Sequence, residues 1–317
     1  MQRIVITGAD GFLGRHLAAF LTSEGKQVAG VSRRPSSGEF PCADWLAGDL
    51  SGELSRLEEF LNRFQPDAVI HLAATSFEPL AASQPWKVLQ NNLQSTLGLL
   101  TVCRGLPKPV RCVIASSSAV YGRQAPDSSP IDESFPLHPL TNYGVSKLAV
   151  EALTLQHHRA FGLPGIIIRP FNITGPGEHA SFVTSAFARQ IALIEAGRQE
   201  PVIRVGDLTT TRDFTDVRDA VRAFAGVMEL GEPGEIYNIC SGAGVGIDHV
   251  VAKLLQATAA AVEVRPEPSL MRPVEIREQW GDSKKLRNAT GWEPGYTLDQ
   301  TLADVLNDWR GRIQSEA

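Results

Sequence analysis

Much is missing from this chain, and each absence removes a class of function. Its four cysteines, Cys42, Cys103, Cys112 and Cys240, are scattered without a C-x-x-C pair, so free thiols in a reducing compartment fit better than a disulfide or zinc framework. The seven histidines show no metal-ligand spacing, and no metal is expected. No apolar run approaches the roughly 18 residues of a membrane span. The start, Met1-Gln2-Arg3-Ile4-Val5-Ile6-Thr7-Gly8, enters a strand-like run without the apolar core and cleavage site of a signal peptide. No membrane partner is expected, and the cytoplasm is the expected compartment. Dense Lys/Arg runs are also absent and the net charge is -5, so nucleic acid is not an expected partner.

What the chain does have is length and alternation. Its 317 residues, 43% of them hydrophobic, allow roughly two domains of about 150 residues. Short β-branched runs at 4–6, 27–31, 68–72, 110–114 and 166–168 alternate with helical stretches such as 54–64 and 86–103. Strands alternating with helices mean right-handed crossovers and a doubly wound parallel sheet, an α/β fold. Beyond Pro170 the texture changes to short elements broken by Pro and Gly, as expected of a smaller second α/β domain. The loop 123–139 holds Pro126, Pro130, Pro136 and Pro139, too many for a helix interior.

Gly8-x-x-Gly11-x-x-Gly14 falls between the first strand and the first helix, with Phe12 and Leu13 inside the turn. Glycines there let the backbone approach a pyrophosphate, which then meets the unpaired amides of a helix N-terminus, as in a Rossmann-type dinucleotide site. About 20 residues on, where an acid would hold a ribose 2'-hydroxyl, the chain reads Val31-Ser32-Arg33-Arg34. Adjacent arginines suit a 2'-phosphate, so NADPH is expected over NADH. Asp49 with Leu50 near the adenine, and Leu72-Ala73-Ala74 beside the cofactor, are further candidates, although an Asp in a turn is commonly only a turn former.

Tyr143 and Lys147 stand four apart, and on a helix they share one face. A neighbouring ammonium in a poorly solvated pocket favours phenolate and makes the tyrosine an acid usable near neutral pH. Alone, this spacing is frequent on surface helices. Ala115-Ser116-Ser117-Ser118-Ala119-Val120-Tyr121-Gly122 follows the fifth strand, at the sheet end where such folds bind ligands. Hydroxyls of Ser117 and Ser118 can bond a substrate oxygen there, or merely satisfy local backbone.

Together the glycine triplet, Asp49, His71-Leu72-Ala73-Ala74, Asn92, Ser117 with Val120-Tyr121-Gly122, Tyr143 with Lys147, and Arg169-Pro170-Phe171-Asn172 resemble the extended short-chain dehydrogenase/reductase family that works on nucleotide sugars. The match covers nearly the whole chain. It implies that Ser117 orients the reacting oxygen, that Tyr143 is the acid/base, and that Lys147 holds the nicotinamide ribose. Asn92 and Arg169 would lie on the cofactor side. The implied domains are 1–170 plus about 213–241 for NADP(H), and 171–212 plus 242–317 for the nucleotide sugar. The helices at 85–103 and 143–161 would form a four-helix bundle in a homodimer.

Arg169-Pro170-Phe171-Asn172, Arg204-Val205-Gly206-Asp207, Thr211-Arg212-Asp213-Phe214 and Arg272-Pro273-Val274-Glu275 look like segments of the GDP-4-dehydro-6-deoxy-D-mannose reductase family. The resemblance puts Asn172, Arg212 and Arg272 around the sugar diphosphate and Glu275 on a ribose, with Arg204 a further substrate-binding candidate; Val183 is a candidate to flank a base that the sequence does not identify. Related 4,6-dehydratases carry an acid two before the tyrosine of Val-Tyr-Gly; here that position is Ala119, which cannot move a proton. The expected reaction is NADPH-dependent reduction of the C4 ketone of a GDP-4-dehydro-6-deoxyhexose, giving GDP-D-rhamnose. A 4-epimerase with retained NAD, a 4-ketoreductase for a dTDP- or UDP-linked sugar, and a non-catalytic NADP(H) sensor remain open.

Overall fold

The structure is a computed structural model, and it describes residues 1–36, 42–52, 54–76, 78–124, 129–271 and 276–316, without the side chains of 78–80. The strands in chain order are β1 (Arg3–Thr7), β2 (Gln27–Ser32), β3 (Asp44–Ala47), β4 (Ala68–His71), β5 (Arg111–Ala115), β6 (Gly165–Pro170), β7 (Asn172–Thr174), β8 (Val202–Val205), β9 (Thr211–Arg212), β10 (Phe214–Asp216), β11 (Ile236–Ile239), β12 (Val245–Gly246), β13 (Glu263–Pro266) and β14 (Glu278–Gln279). The helices are α1 (Phe12–Ser23), α2 (Leu54–Phe64), α3 (Glu78–Ser83), α4 (Pro85–Gly105), α5 (Asn142–Phe161), α6 (Val183–Glu195), α7 (Val217–Leu230), α8 (Ile247–Gln256), α9 (Lys284–Thr290) and α10 (Leu298–Ser315).

Seven strands make a parallel sheet in the order β11-β6-β5-β4-β1-β2-β3. The order reverses at β1, where consecutive crossovers run to opposite edges, and this switch point is where such sheets bind ligands. Strands buried on both faces need continuous apolar runs. Ile4, Val5 and Ile6 and then Ile166, Ile167 and Ile168 are fully buried. One face packs on α1 and α7 through Leu17, Leu21, Phe224 and Val227, the other on α2 and α4 through Leu57, Phe60, Leu99 and Leu100.

A second core, built from Phe187, Ile191, Val250, Leu254, Leu306 and Trp309, lies between α6, α8 and α10 and the strand β8. α7 and β11 return the chain to the large sheet. Leu286 and Trp292 also join the large-sheet core, although the sequence reading gives 242–317 to the smaller domain. The reason is that α9 packs on α7, with the Trp292 indole donating to Asp219 O at 2.9 Å. Among the described residues no helix is long and apolar enough to cross a membrane.

Candidate active site

The glycine turn leaves β1 with Gly8 at φ +69°, and a Cβ there would lie 2.9 Å from Ala73 N. Only glycine combines that conformation with so close an approach, so the turn is pressed against the chain leaving β4. Gly11 is the N-cap of α1 and uses no side chain to close it. The first amides of α1 therefore face outward as an anion cradle. Phe12 stands edge-on to His16 at 5.5 Å, Leu13 packs toward the core, and Gly14 is buried. His16 Nε2 meets Pro176 O at 2.8 Å, which ties the loop after β7 to the cofactor helix.

At the end of β2, Ser32 is buried while Arg33 and Arg34 are exposed. Asp10, inside the glycine turn, accepts from Arg34 Nε at 2.8 Å and from its terminal nitrogen at 2.7 Å. Burial pushes the Asp10 carboxyl up, but hydrogen bonds from Ser32 and Arg34 and the charge of Arg34 outweigh it and hold the carboxyl below its usual range. Asp49 accepts from the amide and hydroxyl of Ser51, and these bonds lower its pKa. Leu50, the other candidate beside the adenine, buries its side chain in the core with Leu57 and Leu99. Leu72, Ala73 and Ala74 are half-buried beside the glycine turn, with Ala73 N donating to Thr7 Oγ1 at 3.2 Å.

Thr7 continues a buried chain. His71 meets Thr7 Oγ1 at 2.7 Å and Thr96 Oγ1 at 3.0 Å, and Thr96 donates to Asn92 O at 2.8 Å. Burial pushes the imidazole down to about 3, so it stays neutral. Asn92, 1% exposed, accepts from Thr75 N and donates to Thr75 O and Ser146 Oγ. Its amide is committed inside the protein, and Asn92 braces the chain after β4 against α5 in place of touching a cofactor.

α5 begins with Thr141, whose hydroxyl accepts from Gly144 N at 3.1 Å, an N-cap that fixes where the first turn starts. A Cβ on Gly144 would sit 2.6 Å from Ala119 O. Glycine at this point lets α5 press on the turn that carries Ser117. Tyr143 and Lys147 share a face as their spacing requires, with Nζ 5.9 Å from the centre of the phenol ring. Lys147 is 4% exposed and donates to Ala115 O at 2.6 Å, anchoring it two residues before Ser117. Burial pulls its pKa down to about 8, partly opposed by Glu151. Ser117 caps the short turn after β5, its Oγ accepting from Ala119 N at 3.1 Å, and it remains half-buried.

Two neighbours of these groups are not solvent- or ligand-facing. Ser118 is buried and donates to Gln279 Oε1 at 3.1 Å, so it is a structural hydroxyl, not a substrate contact. Arg169, assigned to the cofactor side from the sequence, is 1% exposed. It donates to Glu151 through Nε at 2.8 Å and a terminal nitrogen at 2.7 Å, and to Tyr121 Oη at 2.9 Å. A guanidinium so enclosed cannot reach a cofactor. Glu151 also accepts from Ser116 Oγ at 2.5 Å. Its position was legible, since 143, 147 and 151 form one helical stripe.

Farther out, Asn172 donates through Nδ2 to Asp213 O, between β9 and β10, at 3.0 Å, and Val183 opens α6, half-buried. Arg212 is half-buried and donates to Thr211 O at 2.8 Å. Arg204, in contrast, lies exposed between Glu200 at 2.8 Å and Glu267 at 3.5 Å, an ion-paired surface arginine where a substrate contact was expected. Arg272 and Glu275 lie outside the described residues.

Residues 5–305 match the family model for GDP-mannose 4,6 dehydratase. The GDP-6-deoxy-D-mannose reductase of Pseudomonas aeruginosa is 38% identical over 315 residues, 99% of either chain. The solved structure of RMD from Pseudomonas aeruginosa complexed with NADPH superposes with a TM-score of 0.86 at 36% identity, covering 98% of this chain and all of that one. MoeE5, solved in complex with UDP-glucuronic acid and NAD, gives 0.86 at 29% identity over 98% of this chain and 99% of its own. The chain belongs to the GDP-mannose 4,6-dehydratase family of extended short-chain dehydrogenases/reductases.

Proposed function

We propose that this protein is an NADPH-dependent reductase that converts the C4 ketone of GDP-4-dehydro-6-deoxy-D-mannose to the alcohol, forming GDP-D-rhamnose. The observation that carries the reading is the Lys147 ammonium, buried under the Tyr143 ring and bonded to Ala115 O, beside a serine whose hydroxyl hydrogen can point at a substrate. The residues present fit the cofactor. Gly8 lets the turn lie against the chain leaving β4, the N-terminus of α1 carries no side-chain cap and is open to a pyrophosphate, and Arg33 and Arg34 supply cations for a 2'-phosphate.

Bound NADPH supplies the hydride for the ketone carbon. Tyr143 donates its phenolic proton to the carbonyl oxygen as charge builds there, and carbon–oxygen double bond becomes alcohol. Ser117 Oγ already accepts from Ala119 N, which leaves its own hydrogen to donate to the same oxygen. Lys147 uses one N–H on Ala115 O and has two more for ribose hydroxyls, while its charge favours the phenolate left after proton transfer. Arg212 and Asn172 hold the diphosphate, so that binding energy far from the ketone positions it. At Ala119 no side chain can carry a proton, which argues against elimination of water. We read the protein as a homodimer through α4 and α5, which the exposed Trp86, Leu97, Val145 and Phe161 on these two helices support. It is supported by an open groove of about 570 Å³ along α5, lined by Leu148, Ala152 and Leu155.

The test is to supply purified protein with GDP-4-dehydro-6-deoxy-D-mannose and follow NADPH oxidation and product stereochemistry. Stoichiometric NADPH consumption with GDP-D-rhamnose formed supports the reading. Protein that purifies with NAD bound and interconverts nucleotide sugars without added cofactor rules it out in favour of an epimerase.

A further inference from the structure

Ser117 and Arg212 belong to different parts of the chain, yet a ketone anchored through its nucleotide must arrive at the Ser117 hydroxyl with sub-ångström accuracy. One buried residue joins the two. Gln279, 5% exposed, lies on β14 directly opposite Arg212 of β9, and its carbonyl accepts from Asp213 N at 3.2 Å. Its side chain reaches across to the turn that Ser117 caps. Oε1 accepts from Ser118 Oγ at 3.1 Å, and Nε2 donates to Ser118 O and Gly122 O, each at 3.1 Å. Both amide hydrogens are used, and all three partners lie in the turn between β5 and the loop that follows.

The neighbouring residues extend the same seam. Trp280 N donates to Gln124 Oε1 at 3.1 Å, Ile131 N to Trp280 O at 3.0 Å and Asp282 N to Ile131 O at 2.8 Å. These bonds hold the loop after the turn, whereas the Gln279 amide holds the turn itself. Ser118 O accepts from Gln279 Nε2 and also from Tyr121 N at 3.0 Å, so loss of the amide loosens a carbonyl that helps close the turn.

We propose that Gln279 is a positioning residue that fixes the Ser117 turn relative to the Arg212 strand, a role that rests on the reductase reading for its substrate but not for its geometry. The amide does not touch substrate or cofactor. It sets the distance between the place where the diphosphate is gripped and the place where the ketone oxygen is met.

The test is Gln279→Met, which keeps the side-chain length and loses the three hydrogen bonds. Hydrogen exchange in residues 117–122 should quicken by about tenfold or more. NADPH affinity by fluorescence and GDP affinity by calorimetry should stay within about threefold of wild type, while kcat falls about 100-fold with little change in KM. If the variant does not fold, Ser118→Ala removes one of the three bonds and should lower kcat by about threefold to tenfold with the same split. Unchanged exchange in the turn, unchanged kcat, or GDP and NADPH affinities that fall together with kcat overturn the proposal. Should wild-type protein fail to reduce the GDP-linked ketone, the reductase reading fails, and exchange in the turn decides the role of Gln279 by itself.

Discussion

Glu151 grips Arg169 with both carboxylate oxygens, at 2.8 and 2.7 Å, one helical turn beyond Lys147. Both side chains are almost wholly buried, 3% and 2% exposed. Arrangements of this kind are seldom a source of stability, because desolvation offsets the attraction, but breaking one leaves an uncompensated charge in the core. The pair therefore matters for what it holds: Ser116 before the serine turn, Tyr121 after it, and the electrostatic surroundings of Lys147.

Glu151→Ala should destabilise the protein by about 3–5 kcal/mol, read from urea midpoints at constant m-value. Glu151→Met combined with Arg169→Met, which leaves no unpaired guanidinium, should recover most of that loss. A single variant within about 1 kcal/mol of wild type would show that water reaches Arg169 freely.

Cofactor choice should rest on Arg33 and Arg34. Replacing both with alanine removes charge-assisted bonds each worth about 1.5–3 kcal/mol, so KM for NADPH should rise on the order of 100-fold while KM for NADH moves little. Steady-state kinetics with both cofactors at two ionic strengths checks this, and the NADPH term alone should weaken with salt. Equal changes for the two cofactors would remove the 2'-phosphate from the site. Asp10 belongs in the same experiment, since it is the carboxylate that aims Arg34 across the glycine turn.

Glu178 gives a pH dependence of stability. It is 3% exposed and bonded only by hydroxyls among its side-chain partners described, those of Thr174 and Thr184, and burial raises its pKa from 4.5 to about 7. The folded protein thus binds this proton more tightly than the unfolded chain, so its contribution favours folding at low pH and declines as pH rises from 4.5 toward 7. Glu178→Gln abolishes that slope. The stability of the variant relative to wild type should increase by on the order of 3 kcal/mol between about pH 4.5 and about pH 7.5. A difference that is flat with pH would mean that Glu178 is solvated.

The legible parts of the fold were those written by local pattern. Helix α2 spans 54–64 as its periodicity requires, and α4 and β2 differ from expectation by one or two residues at their ends, where hydrogen bonding alone decides. The same holds for Tyr143 with Lys147, whose relation is fixed by one helical turn. Short β3 (Asp44–Ala47) carried no such signal, being an edge strand of half-buried residues. Arg169 could not be read from its neighbours either, because its partner Glu151 is brought to it by the packing of α5 on β6. Gln279 is 161 residues from Ser118, and nothing in its surroundings marks it. Residues whose work is to join distant segments are silent in sequence, since their partners are set by topology.

The most direct measurement is single-turnover NADPH oxidation by Tyr143→Phe with saturating GDP-4-dehydro-6-deoxy-D-mannose, alongside its NADPH affinity. The phenylalanine ring keeps the packing beside Lys147 and lacks only the proton to be given. The account requires a rate about 10²–10⁴-fold below wild type with cofactor affinity retained. A variant that turns over at the wild-type rate would contradict it.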